Sequence, residues 1–147
     1  MGFSVSGATA IILIGGLIAF SFAFSAVNNG YERVSEAQQQ QEDRQLLQTN
    51  SDVGIANATH DATASELTVH VNNTGSAVLT IEELSLLVDG TYRGNLTTSV
   101  DGDNETSVLL PGEQLVMTLA QTTQPDRVKV VAGTGVAATE TEVISLG

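Results

Sequence analysis

The residues able to do chemistry in this chain are few and scattered. It has two histidines, His60 and His70, and no cysteine. Neither histidine stands at a recognisable spacing from a nucleophile, and no nucleophile elbow, phosphate loop or paired-histidine metal motif occurs. His60 reads as a loop residue and His70 as a strand residue opposite Val69 and Val71, both at the surface without a catalytic role. Asp101-Gly102-Asp103-Asn104-Glu105 places oxygen ligands at alternate positions, as a hard cation prefers, yet Thr106 and Gly112 stand where a calcium loop needs its glycine and its closing glutamate. A solvated turn is the plainer reading. Four Asn-x-Ser/Thr sequons begin at Asn57, Asn72, Asn95 and Asn104, each a candidate N-glycosylation site if this part of the chain lies outside the cell. The sequence therefore predicts a non-enzymatic protein with no cofactor and no metal site.

The elements that carry these residues begin with an apolar run. Before the first charged side chain, Glu32, the chain is apolar from Val5 to Val27, including Ile11, Ile12, Leu13, Ile14, Leu17, Ile18, Phe20, Phe22 and Phe24. At about 1.5 Å per residue such a run reaches roughly 34 Å, enough to cross a hydrocarbon core of about 30 Å. Lipid offers the backbone no hydrogen-bond partner, so the segment must be a helix. Residues 1–27 are thus expected to be a transmembrane anchor. Two other fates compete with it: cleavage after Ser25 as a signal peptide, and trimming at Gly2-Phe3 in the manner of pilin precursors. No Lys or Arg precedes the run, the run is long for a signal peptide, and Gly7 stands where pilins carry glutamate, so permanent retention is favoured. Gly15, Ala19 and Ala23 repeat at intervals of four and would let another helix approach closely.

Residues 28–50 are polar, free of proline and rich in helix formers such as Gln38 to Gln41, Arg44 and Gln45, so the helix is expected to continue as a stalk. One helix from Val5 to Gln48 would reach roughly 66 Å. Val27, Tyr31 and Val34 form a narrow apolar stripe that lapses in the glutamines, leaving a coiled coil and a solvated spacer both open.

From residue 51 to 147 the hydrophobic period changes to two. Val53 and Ile55, and then Leu67, Val69 and Val71, alternate with polar residues. Val78 to Ile81, Leu84 to Val88, Val108 to Leu110, Leu115 to Leu119, Val128 to Val131 and Glu142 to Leu146 supply further runs. Turn signals fall at Asn72 to Gly75, Asp89-Gly90, Asp101 to Asn104, Pro111-Gly112 and Gln124 to Asp126. About eight short strands at this spacing predict an all-β immunoglobulin-like sandwich without the disulfide or tryptophan of true immunoglobulin domains. Its free edges could pair with a neighbouring chain.

With 17 acidic residues against five basic ones, the net charge is −12. Such a surface repels nucleic acid and anionic headgroups, and strong acidity with lysine depleted to Lys129 suits a protein kept soluble in very high salt. Arg33 and Arg44 after the span would by themselves hold the C-terminal side in the cytoplasm, whereas the sequons and the sandwich argue for the outside, and the outside is preferred.

Several stretches carry a resemblance: Met1-Gly2-Phe3-Ser4-Val5-Ser6-Gly7-Ala8-Thr9-Ala10-Ile11-Ile12, Tyr31-Glu32-Arg33-Val34-Ser35-Glu36-Ala37-Gln38, Val71-Asn72-Asn73-Thr74-Gly75 and Leu84-Ser85-Leu86-Leu87-Val88-Asp89-Gly90. In these the chain resembles haloarchaeal archaellum proteins of the FlaF (ArlF) family; the sister family FlaG (ArlG) shares the architecture of membrane helix plus sandwich. The resemblance implies a stator component of the rotating archaeal swimming filament. It implies a single-pass anchor in the cell membrane, a β-sandwich beneath the surface layer, and homo- or hetero-oligomers. The implied partners are surface-layer protein and a second archaellum component. It carries no catalytic residues. A pilin-like or archaellin-like filament subunit and a tethered extracellular binding domain are the alternatives.

Overall fold

A computed structural model describes residues 2–146, with side chains from residue 6. Met1 and the side chains at the Gly2-Phe3 junction lie outside the described residues. The chain divides into two compact units, Met1–Asp43 and Arg44–Gly147, each described by itself.

Helix α1 spans Gly2–Asn50. In the first unit its side chains from residue 6 onward are exposed, including Ile11 to Ile14, Leu17, Ile18, Phe20, Phe22 and Phe24. This stretch is long and apolar enough to cross a membrane. An apolar surface of this extent, open all round, is suited to lipid as its solvent. Within it Ser21 Oγ donates to the Leu17 carbonyl at 2.9 Å, a bond that would satisfy the hydroxyl in an apolar solvent. The Phe20 and Phe24 rings, one turn apart, stack with centroids 6.4 Å apart.

The second unit opens with the last turns of α1, and the helix end is closed by a loop from the sheet. The Asn50 carbonyl accepts from the backbone N–H groups of Ser76 and Ala77, and the Asp52 carbonyl accepts from Thr74 and Gly75. These bonds satisfy acceptors that a helix end otherwise leaves orphaned. The close approach requires glycine at 75, because a Cβ there would stand 2.5 Å from the Asn50 carbonyl oxygen.

Among the described residues eleven strands follow: β1 Val53–Asp61, β2 Glu66–Asn73, β3 Leu79–Thr80, β4 Ser85–Val88, β5 Thr91–Arg93, β6 Thr97–Val100, β7 Val108–Leu109, β8 Gln114–Ala120, β9 Val128–Val131, β10 Ala137–Glu140 and β11 Val143–Leu146. One sheet has the order β11-β1-β2-β8-β6, a second β10-β9-β4-β5, and β3 and β7 form a two-stranded ribbon. All pairs are antiparallel except β1 with β11, which run parallel.

Alternation builds the core. Leu67, Val69 and Val71 of β2 lie opposite Leu119, Met117 and Leu115 of β8, and all six are buried. In the second sheet Leu86 and Val88 of β4 pair with Val130 and Val128 of β9, also buried. These two inner faces share one apolar cluster, which makes the unit a β-sandwich. The expected fold class, an N-terminal helix followed by an all-β sandwich, therefore holds. The Asp89-Gly90 and Asp101-Gly102 turns both place two successive residues at positive φ, the geometry that returns a strand tightly on itself.

Three parts differ from the sequence expectation. β2 continues through Asn72 and Asn73, so the turn starts at Thr74. The Val78 to Ile81 run gives only the short β3, followed by a 3-10 turn at Ile81–Glu83. Strands β5, β6 and β10 also form where none was anticipated.

Candidate functional site

His60 is the clearest correction. It lies on β1, not in a loop, and is 2% exposed rather than at the surface. The cause is a β-bulge between Ile55 and Asn57. An extra residue shifts the alternation by one, so the inward positions change from Val53 and Ile55 to Ala58 and His60, and Asn57 turns outward. The buried ring is held by Nε2, which donates to the Gln121 carbonyl at 2.9 Å. Gln121 also accepts from Arg93 Nη2 through Oε1 at 3.3 Å and donates through Nε2 to the Thr123 carbonyl at 2.9 Å. His60 Nδ1 and Arg93 Nε are enclosed without a protein partner. This small network ties β1, β5 and the segment after β8 together through the Gln121 carbonyl and side chain.

His70 lies on β2 opposite Val69 and Val71, as expected, with Nδ1 donating to Gln114 Oε1 at 3.1 Å, while Gln114 Nε2 donates to Asn72 Oδ1 at 3.0 Å. His70 is half-buried. Among the described residues no group of three or more His, Asp or Glu side chains is placed to hold a metal ion. In the Asp101 to Glu105 segment, Asp103 Oδ1 accepts the Glu105 N–H at 2.8 Å and the Val100 and Asp103 backbones bond reciprocally. The segment forms an exposed hairpin turn.

The four sequons fall in different settings. Asn57, Asn95 and Asn104 are exposed, on the bulge of β1, between β5 and β6, and after the Asp101-Gly102 turn. Asn72 is half-buried on a strand flanked on both sides, its Oδ1 accepting from Gln114. The hydroxyl of its sequon partner, Thr74, donates to Asp52 Oδ2 at 2.9 Å. On α1, Gly15, Ala19 and Ala23 are exposed along one side of the helix, and a Cβ at Gly15 would meet nothing within 4 Å. Further along the helix Val27, Gly30, Tyr31 and Val34 line a shallow apolar hollow of about 300 Å³.

Sequence reasoning missed Asn73. Its side chain is buried, with Nδ2 donating to the carbonyls of Ala77 (2.8 Å) and Leu109 (3.0 Å) and Oδ1 accepting from Gly75 N–H (3.1 Å). The only signal was its place in a turn-like Asn-Asn-Thr-Gly string.

No protein-family model matches the sequence, and no curated protein matches it. Similar solved structures include the archaellum periplasmic stator protein FlaG from Sulfolobus acidocaldarius, with TM-score 0.44, 12% identity and coverage of 61% of this chain and 97% of that one. A second is the FlaF and FlaG stator protein complex from the same organism, with TM-score 0.42, 14% identity and coverage of 60% and 86%. A third is the CARDB domain of PF1109 from Pyrococcus furiosus in complex with di-metal ions, with TM-score 0.37, 19% identity and coverage of 66% and 94%. At TM-scores below 0.5 these likenesses assign neither family nor role.

Proposed function

We propose that the protein is an anchoring component of the archaellum stator. In this reading residues 1–27 hold it in the cell membrane, residues 28–50 form a polar helical spacer, and the β domain of residues 51–147 stands outside the cell beneath a surface layer. There it links the motor to surface-layer protein and to a second stator component, as part of a homo- or hetero-oligomer. The archaellum itself enters through the sequence resemblance at residues 1–12, 31–38, 71–75 and 84–90.

The observation that supports the role is the joining of a helix whose first part is apolar and uncharged to a sandwich whose buried His60 and Asn73 are hydrogen-bonded to the domain's own backbone. A stator transmits force and breaks no covalent bond, so grip, spacing and a rigid head are the properties it needs. The acidic surface keeps such a head soluble at high ionic strength, where screening weakens the mutual repulsion of its carboxylates.

Deleting the chain from its native cell should leave archaellum filaments assembled and abolish swimming. Motility should return with the full chain and not with residues 51–147 alone. Recovery of the protein as a stoichiometric subunit of purified filaments would establish the filament-subunit alternative instead.

A further inference from the structure

The β3–β7 ribbon pairs Leu79 with Leu109 and Thr80 with Val108, a register that sets Val78 across from Leu110. Alternation turns Leu79 and Leu109 into the core and leaves Val78, Thr80, Val108 and Leu110 on the outward face. The apolar members of this face are well exposed, at 52% for Val78, 38% for Val108 and 45% for Leu110. These three neighbouring side chains form a small apolar strip on one outward face of an acidic domain.

The border of this strip is acidic on both sides. Beside Val108 and Leu110 lies an open hollow of about 230 Å³, whose lining includes Asp101, Asp103 and Glu113. Beside Val78 and Thr80 lies a pocket of about 170 Å³, whose lining includes Glu83. Neither hollow has a Lys or Arg in its lining.

We propose that the outer face of the β3–β7 ribbon docks a segment of another protein that is both apolar and basic. Its apolar side chains would cover Val78, Val108 and Leu110, and its Lys or Arg residues would reach Glu83, Asp101, Asp103 and Glu113. Charge complementarity selects this occupant. Two copies of the same face would oppose like carboxylates across a two-fold axis, and anionic headgroups are repelled in the same way. With five basic residues against 17 acidic ones, the chain is poorly equipped to supply the cationic side itself. This inference stands apart from the stator reading.

The test uses the full chain in native membranes, with Leu110 replaced by the photo-crosslinker benzoylphenylalanine and Tyr92, exposed on β5, replaced likewise as a control. Val108 is the second labelling position if the Leu110 variant does not accumulate. The expected result is an adduct from the ribbon and not from position 92, mapping to a peptide of a different protein with apolar residues and net positive charge. Adding Glu83→Gln and Asp101→Asn should lower its yield at least threefold. An adduct with a second copy, with lipid or with an acidic or uncharged peptide, no adduct from either ribbon position, or a yield unchanged by neutralising the carboxylates would overturn the proposal.

Discussion

Asn73 bonds the loop after β2 to strand β7 with a buried side chain, next to the end of the helix. One side chain serves two carbonyls and one N–H in a site closed to water, so its removal strands groups that cannot be rehydrated. Asn73→Ala should cost about 3 kcal/mol, read from denaturant melts of the full chain in detergent by circular dichroism. A loss below about 1 kcal/mol would show that the network is dispensable. At the same scale the sequons separate by geometry. Native glycopeptide mass spectrometry should find Asn57, Asn95 and Asn104 occupied and Asn72 largely bare, because the Asn72 amide and the Thr74 hydroxyl are both engaged within the fold. Equal occupancy at Asn72 would contradict this. The sequence displayed the sequons but not their settings, and it did not display Asn73 or the burial of His60. A buried polar side chain is chosen by partners distant in sequence, such as Leu109 for Asn73 and Gln121 for His60, and local pattern contains no trace of them.

Individual elements were legible where the burial period was clean. The apolar run, the helical stalk sequence and strands β2, β4, β8 and β9 could be read directly, because both neighbours of each such strand are other strands and its inward positions are apolar, Asn73 at the end of β2 excepted. Strands β5, β6 and β10 escaped notice, and each lies at the edge of its sheet. Thr97-Thr98-Ser99-Val100 and Ala137-Ala138-Thr139-Glu140 show why: an edge strand needs few apolar residues, and polar ones keep it from pairing with strangers. The bulge in β1 misled in another way, since it reversed the inward parity halfway along one strand. On the helix, the row of Gly15, Ala19 and Ala23 is read as a packing face, and close approach there is steric. Ala19→Ile should therefore reduce helix association severalfold in a membrane energy-transfer assay, while Leu17→Ile, on nearly the opposite side, should leave it unchanged. Equal behaviour of the two variants would mean that the small residues form no contact.

At the scale of the whole molecule, a helix apolar enough to cross a membrane precedes an acidic all-β domain. The division into helix and sandwich was legible in the sequence because the hydrophobic period changes near residue 50. The parallel docking of β11 on β1 was not, since it depends on chain ends meeting across the whole domain. Orientation is where the composition speaks with two voices, arginines after the span against sequons in the head. The absence of native cysteine makes the question directly measurable. Thr122→Cys places a single thiol on an exposed loop of the head, and a membrane-impermeant maleimide can be applied to intact cells and to opened cells. A head outside the cell should be labelled equally in both. Labelling only after the cells are opened would place the head in the cytoplasm and contradict the stator role.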